Sequence, residues 1–211
     1  MFWYAMLLSR TASSEEIASA ANRTGGAFNS PGFIAAGEKL EELIALEPFQ
    51  EGFLGNSYPD AQTLLANGQA AMQLMGNWDY GGSYSSLAED PEAFAEFIGW
   101  FPFPAVEGGE GSANALFGGG DLFAVGINAE PEAVGFPVVA GTVANYANPA
   151  FENIAASMEE GTSFLNFLDQ QFLPPLDSAV NEEVQALFAG LASAEDVANN
   201  LEKNAQDNLD K

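Results

Sequence analysis

The sequence predicts an α/β protein, and three observations lead there. Stretches with apolar residues at helical spacing alternate with short apolar runs of strand length. Glycine and proline clusters punctuate the joins between them. Of the 211 residues, 47% are hydrophobic, enough to bury a real core in one large domain or two small ones.

The chain opens with "MFWYAMLLSR", apolar but without a basic start or a small-residue cleavage site, and too short to span a bilayer. It reads as the inside of a fold rather than as a secretion signal. Residues 32–46 place Phe33, Ala36, Leu40, Leu43 and Ile44 on one helical face. Ser57-Tyr58-Pro59-Asp60 starts a second helix, with Ser57 as cap and Asp60 three residues on. That helix turns Ala61, Leu64 and Leu65 inward and stops at Gly68.

A short strand over 70–75 follows and ends in "GNWDYGG", where Trp78 and Asp79 stand among glycines. Asp90-Pro91 opens another helix, with the proline at its first position. "IGWFPFPAV" (98–106) is expected to run extended and buried, with Pro102 and Pro104 ending regular pairing. "EGGEGSANALFGGGD" is expected to be a flexible loop that leads into a strand over 121–127. From 149 onward the pattern is helical: Val180, Val184, Leu187 and Phe188 form a stripe ended by Gly190, and Ser193 with Asp196 caps a last helix. There is no internal repeat, no low-complexity tract and no linker that separates two domains.

Thirty acidic residues against five basic ones give a formal charge of −25. Such a surface repels phosphate backbones and anionic headgroups, which excludes nucleic acid as a partner and disfavours membrane surfaces. The acids are spread along the chain, as on a solvated surface. A salty or extracellular medium would screen their repulsion, and a generally acidic soluble protein fits equally. No cysteine means no disulfide, no thiol catalysis and no thiolate metal site. No histidine removes Ser-His and Cys-His nucleophilic systems and the usual zinc sites. No calcium loop is written in the acids, and neither a metal nor a cofactor is expected.

Two stretches carry candidate chemistry. "FGGGD" (117–121) lacks the Lys-Ser/Thr ending of a phosphate loop, and its glycines precede a strand rather than a helix. Gly119 and Gly120 either let the backbone approach a neutral ligand, with Asp121 as a polar end, or make a plain turn. Trp78 is either a core residue with its N–H satisfied nearby, or a platform whose ring face covers the C–H face of a sugar while Asp79 takes hydroxyls.

The pieces "PGFIAAGEKLEELIALEPFQEGFLG", "DAQTLLANGQAAMQLMGNWDYG", "GWFPFPAVEGGEG", "FGGGDLFAVGINAEPEAV" and "FLDQQFLPPLDSAVNEEVQALFAG" occur in that order. In them the chain resembles the extracellular solute-binding proteins of carbohydrate ABC importers, the family-1 group related to maltose-binding proteins. The resemblance covers most of residues 1–134 and 160–203. It implies a type II periplasmic-binding-protein fold without catalytic activity, which closes on a carbohydrate and delivers it to an ABC transporter membrane permease. It also implies an extracellular or periplasmic location, through a lipoprotein anchor in the full-length family.

By the same resemblance Trp78 stacks on a sugar ring, Gly119 to Asp121 line the cleft, and Trp3 or Tyr4 sits nearby with Asp169 and Gln170 of "LDQQF". Two departures imply an incomplete chain. The family has a first lobe and a signal ahead of the point where this sequence begins. After "NAEPEAV" the family continues through a first-lobe helix, whereas "GFPVVAGT" follows here. Residues 1–104 and 160–211 then correspond mostly to the second lobe, and 105–159 to a hinge strand and a remnant of the first. Two other functions remain open: a carbohydrate-active hydrolase using two carboxylates, and an acidic structural surface protein.

Overall fold

A computed structural model describes residues 1–79, 83–119, 156 and 159–208 of the chain. At its centre is helix α1 (Phe2–Thr11), buried on nearly every side from Tyr4 to Thr11. A helix that is apolar almost all round belongs inside, and the opening decapeptide is spent there. Thr11 donates its hydroxyl to the Gly32 carbonyl at 2.9 Å, which pins the end of α1 against the helix it packs on.

That neighbour is α3 (Pro31–Ala45), reached through α2 (Ser14–Ala21). The predicted face of α3 is the one buried: Phe33, Ala36 and Leu40 are fully inaccessible, and Leu43 and Ile44 pack at the margin. Ser13 caps α2, and Glu16 in its first turn accepts from the Gly32 amide at 2.9 Å and from the Ser30 hydroxyl, tying α2 to the start of α3. Two long helices complete this half, α8 (Leu176–Phe188) and α9 (Ala194–Asp207), with the short α7 (Leu168–Gln171) ahead of them. The stripe Val180, Val184 and Leu187 is buried as expected. Gly190, at φ 67°, ends α8: its amide bonds to Leu187 O and the Leu191 amide to Ala186 O. Ser193 and Asp196 form the expected capping box.

The other half is smaller. It comprises α4 (Tyr58–Ala66), α5 (Tyr84–Leu87) and α6 (Pro91–Phe97). Ser57 and Asp60 form a complete capping box on α4, and the Asp90 side chain accepts from the Ala93 amide to cap α6. Inside α4 the buried positions are Gln62 and Ala66, whereas Ala61, Leu64 and Leu65 are only half-buried.

Among the described residues the sheet has two strands, β1 (Ala115–Gly118) and β2 (Ser163–Asn166), parallel and in register from Ala115 opposite Ser163 to Gly118 opposite Asn166. This is an α/β arrangement, helix-rich with a small parallel sheet, as the sequence predicts in class. Several details differ. Residues 70–75 are not a strand: they run irregularly into a helical turn at 77–79, with no partner strand beside them among the described residues. Segment 98–106 is irregular and largely exposed, with Phe101 at 65%. The strand after "EGGEG" comes earlier than expected, at Ala115, inside the stretch read as loop; the predicted strand over 121–127 lies outside the described residues.

Arg10 ties α1 to segment 98–106 and to β1. It is buried, and its guanidinium donates to the carbonyls of Phe103 (3.3 Å), Pro104 (3.3 Å) and Ala115 (3.1 Å) and to the Ser9 hydroxyl (3.0 Å). Burial lowers its pKa, yet with each of these acceptors in place the charge is not stranded.

Candidate functional site

The helical turn 77–79 begins where Gly76 ends the irregular apolar run, and it carries Trp78 out to 47% exposure. Gly76 makes room for the ring. A Cβ at that position would fall 2.0 Å from Cζ3 and 2.2 Å from Cη2, so any side chain would displace the indole. The ring edges meet Phe2 at 6.3 Å and 70° and Phe167 at 6.1 Å and 84° between ring planes. Phe2 in turn stacks on Phe167 at 5.5 Å, and both touch Phe117 edge-on at 5.5 and 5.0 Å. Four aromatic side chains from α1, the Trp78 turn, β1 and the end of β2 thus form one cluster, with the indole at its open edge. Edge-to-face contacts of this kind add about 0.5–1.5 kcal/mol each beyond the area they bury.

Asp79 goes the other way. It is fully buried, and its Oδ1 accepts from the Tyr58 hydroxyl and from Gln62 Nε2 at 2.8 Å. Its Oδ2 has no hydrogen-bond partner among the described residues. Asp79, expected to take ligand hydroxyls, is thus wholly buried in this arrangement and bonded to Tyr58 and Gln62. Tyr58 also accepts the Trp78 Nε1–H at 3.1 Å, so the indole donor already has a protein partner at the surface. Burial and the bond to Asp79 raise the Tyr58 pKa. Tyr84, which donates to Gln73 Oε1 at 2.9 Å, is raised further, by burial first and then by the Asp79 charge.

Gly119, at the end of β1, lies against Phe167 and Gln170: a Cβ there would sit 2.5 Å from Phe167 Cδ2 and 2.9 Å from Gln170 Oε1. The structure thus gathers Trp78, Gly119 and Gln170 around Phe167. Asp169 is exposed in the first turn of α7. Trp3 is half-buried and faces Phe49 (5.8 Å) and Phe103 (6.1 Å) instead of the Trp78 cluster. Tyr4 is a core side chain, fully buried, with its hydroxyl donated to Phe33 O at 3.1 Å. Gly120 and Asp121 lie outside the described residues.

Sequence reasoning misses Phe2, Phe117, Phe167 and Tyr58. The three phenylalanines adjoin residues it did select, at Trp3, "FGGGD" and "LDQQF", but only folding shows that they converge. A groove of about 980 Å³ lies elsewhere, between α1–α3 and α4–α6, lined by Trp3, Leu43, Met72, Phe94, Phe97 and Phe103 among others. No cluster of acidic residues suited to a metal occurs among the described residues, and none of their helices is long and apolar enough to cross a membrane.

A sequence profile for bacterial extracellular solute-binding proteins matches residues 2–168, most of the chain. The chain belongs to that family. Membership carries a solute-binding role alongside an ABC transporter, an extracellular or periplasmic setting, and a family of generally non-enzymatic proteins. A comparison with curated proteins finds no match.

Proposed function

We propose that the chain recognises a neutral sugar or oligosaccharide on the exposed face of Trp78 and passes it to the membrane permease of an ABC importer. The observation that carries this reading is the state of the indole: half-exposed, backed by Gly76, and with its N–H already donated to Tyr58. What such a ring offers a ligand is a flat apolar face, the surface a pyranose C–H face covers. Gly119 and Gln170 beside Phe167 supply backbone and amide groups for hydroxyls, and Asp121, two residues past Gly119, is proposed as a further acceptor. Within a type II periplasmic-binding-protein fold this would be the second-lobe wall of the cleft, with 1–104 and 160–211 contributing most of it.

The test is Trp78→Ala. A half-exposed side chain at a cluster edge is not the keystone of the core, so the variant should melt within about 5 °C of the parent. Aromatic anchors carry a disproportionate share of binding energy, so its affinity for a panel of neutral saccharides, followed by calorimetry, should fall at least about tenfold. Unchanged affinity in a folded variant would remove Trp78 from the site.

A further inference from the structure

Beneath the platform stands a short relay. Tyr58, the first residue of α4, donates its O–H to Asp79 Oδ1, and its oxygen accepts the Trp78 Nε1–H. A carboxylate can only accept, so the Tyr58 proton is committed to Asp79 and the phenol lone pairs are left for the indole. The direction of every proton from Trp78 to Asp79 is thereby set. Buried Gln62 holds the same Oδ1 from the adjacent turn of α4.

This arrangement has a cost. Asp79 is fully buried, and among the described residues its Oδ2 has no hydrogen-bond partner and neither ion pair involves it. A buried carboxylate without a cation lowers stability relative to an apolar side chain of the same size. Packing alone gives no reason to keep it, whereas its contacts with the phenols do: it orients Tyr58 and also acts on Tyr84.

We propose that Tyr58 and Asp79 are positioning residues for Trp78: they hold the indole with its N–H bonded to the Tyr58 hydroxyl, so that a ligand is read through the ring face alone. This rests on Trp78 being the ligand platform. It narrows the ligand class to molecules that present a flat C–H or aromatic face there, because acceptor groups on the ligand have no indole donor to meet.

The test separates the two readings. In uniformly ¹⁵N-labelled protein the three tryptophans give three indole N–H resonances, and Trp78→Phe identifies the one that matters. Tyr58→Phe removes only the hydroxyl from a residue that is 47% exposed, so folding should survive. The Trp78 indole proton should then move upfield and exchange faster with water, while the Trp3 and Trp100 signals stay in place. Asp79→Leu should do the same, and Asp79→Asn, which keeps an acceptor for Tyr58, should restore the parent signal. A contribution confined to stability would shift melting temperatures and leave that resonance alone, and this result would overturn the proposal.

Maltose, maltotriose and cellobiose serve as probes of binding. The tightest of them should bind Tyr58→Phe about 3- to 10-fold more weakly, the loss expected for one hydrogen bond that no longer holds the platform. If none binds the parent protein, the sugar reading fails while the indole resonance still decides the positioning role.

Discussion

The carboxylate of Glu202 gathers donors from three parts of the chain. Arg23 approaches it with both terminal nitrogens, at 2.8 and 2.7 Å, the Phe28 amide at 2.9 Å and Gln206 at 2.8 Å. These bonds, led by the one from Arg23, bring its pKa from 4.5 down to about 2. A pKa depressed on folding stabilises the protein fully above the unfolded value and ceases to do so as pH falls through the folded one. Glu202→Gln should therefore cost about 1–3 kcal/mol at neutral pH, after discounting for partial solvent screening. The gap between variant and parent should close between pH 4.5 and 2, as read from urea unfolding. A gap of the same size at the acid end would mean that the pair contributes through packing instead of charge. Trp78 is the other residue where scale matters: the sequence leaves two readings of it, the bonded N–H is common to both, and the 47% exposure is what supports the proposed platform.

Elements divide according to where their information lies. The helices at 58–66, 91–97 and 194–207 are legible because their starts are written locally, in Ser57/Asp60, Asp90-Pro91 and Ser193/Asp196, and the one at 31–45 because its apolar residues recur at helical spacing. Strands are not written locally. β1 exists because residues 163–166, some fifty positions away in sequence, lie alongside it, and the run 70–75 fails as a strand because no such neighbour is present among the described residues. The site was half legible for the same reason: Trp78 stands out in its own loop, but the convergence of Phe2, Phe117 and Phe167 is a long-range event. The loop "EGGEG" has a role that its composition hides. Its Gly111 amide bonds to Arg10 O at 3.0 Å and Glu110 N to Thr11 O at 3.2 Å, closing the end of α1. A Cβ on Gly111 would lie 2.2 Å from Ser9 O, so Gly111→Ala must push the loop off the helix. We expect a loss of about 1–3 kcal/mol in chemical unfolding, as for other overpacked contacts, and an unaffected variant would mean that the loop yields freely.

For the molecule as a whole, charge is the largest unbalanced quantity. Thirty acids meet five bases, and among the described residues only Arg23–Glu202 and Lys39–Glu42 form ion pairs. Repulsion among the remaining carboxylates opposes compaction and is screened over about 10 Å at 0.1 M salt. The melting temperature should therefore climb as sodium chloride is raised from a few millimolar toward molar, and a flat curve would show the charges to be too dispersed to matter. Arg10 stands apart from this balance, because every acceptor it uses on another segment is a main-chain carbonyl. Carbonyls are supplied by whatever residue occupies positions 104 and 115, so those positions can drift over evolutionary time without breaking the tie, whereas Phe103 also sets its ring 5.7 Å from the guanidinium. The burden falls on the arginine. A lysine offers one ammonium where carbonyls on two segments need a planar fork, so related sequences should keep Arg10 while positions 104 and 115 vary around it.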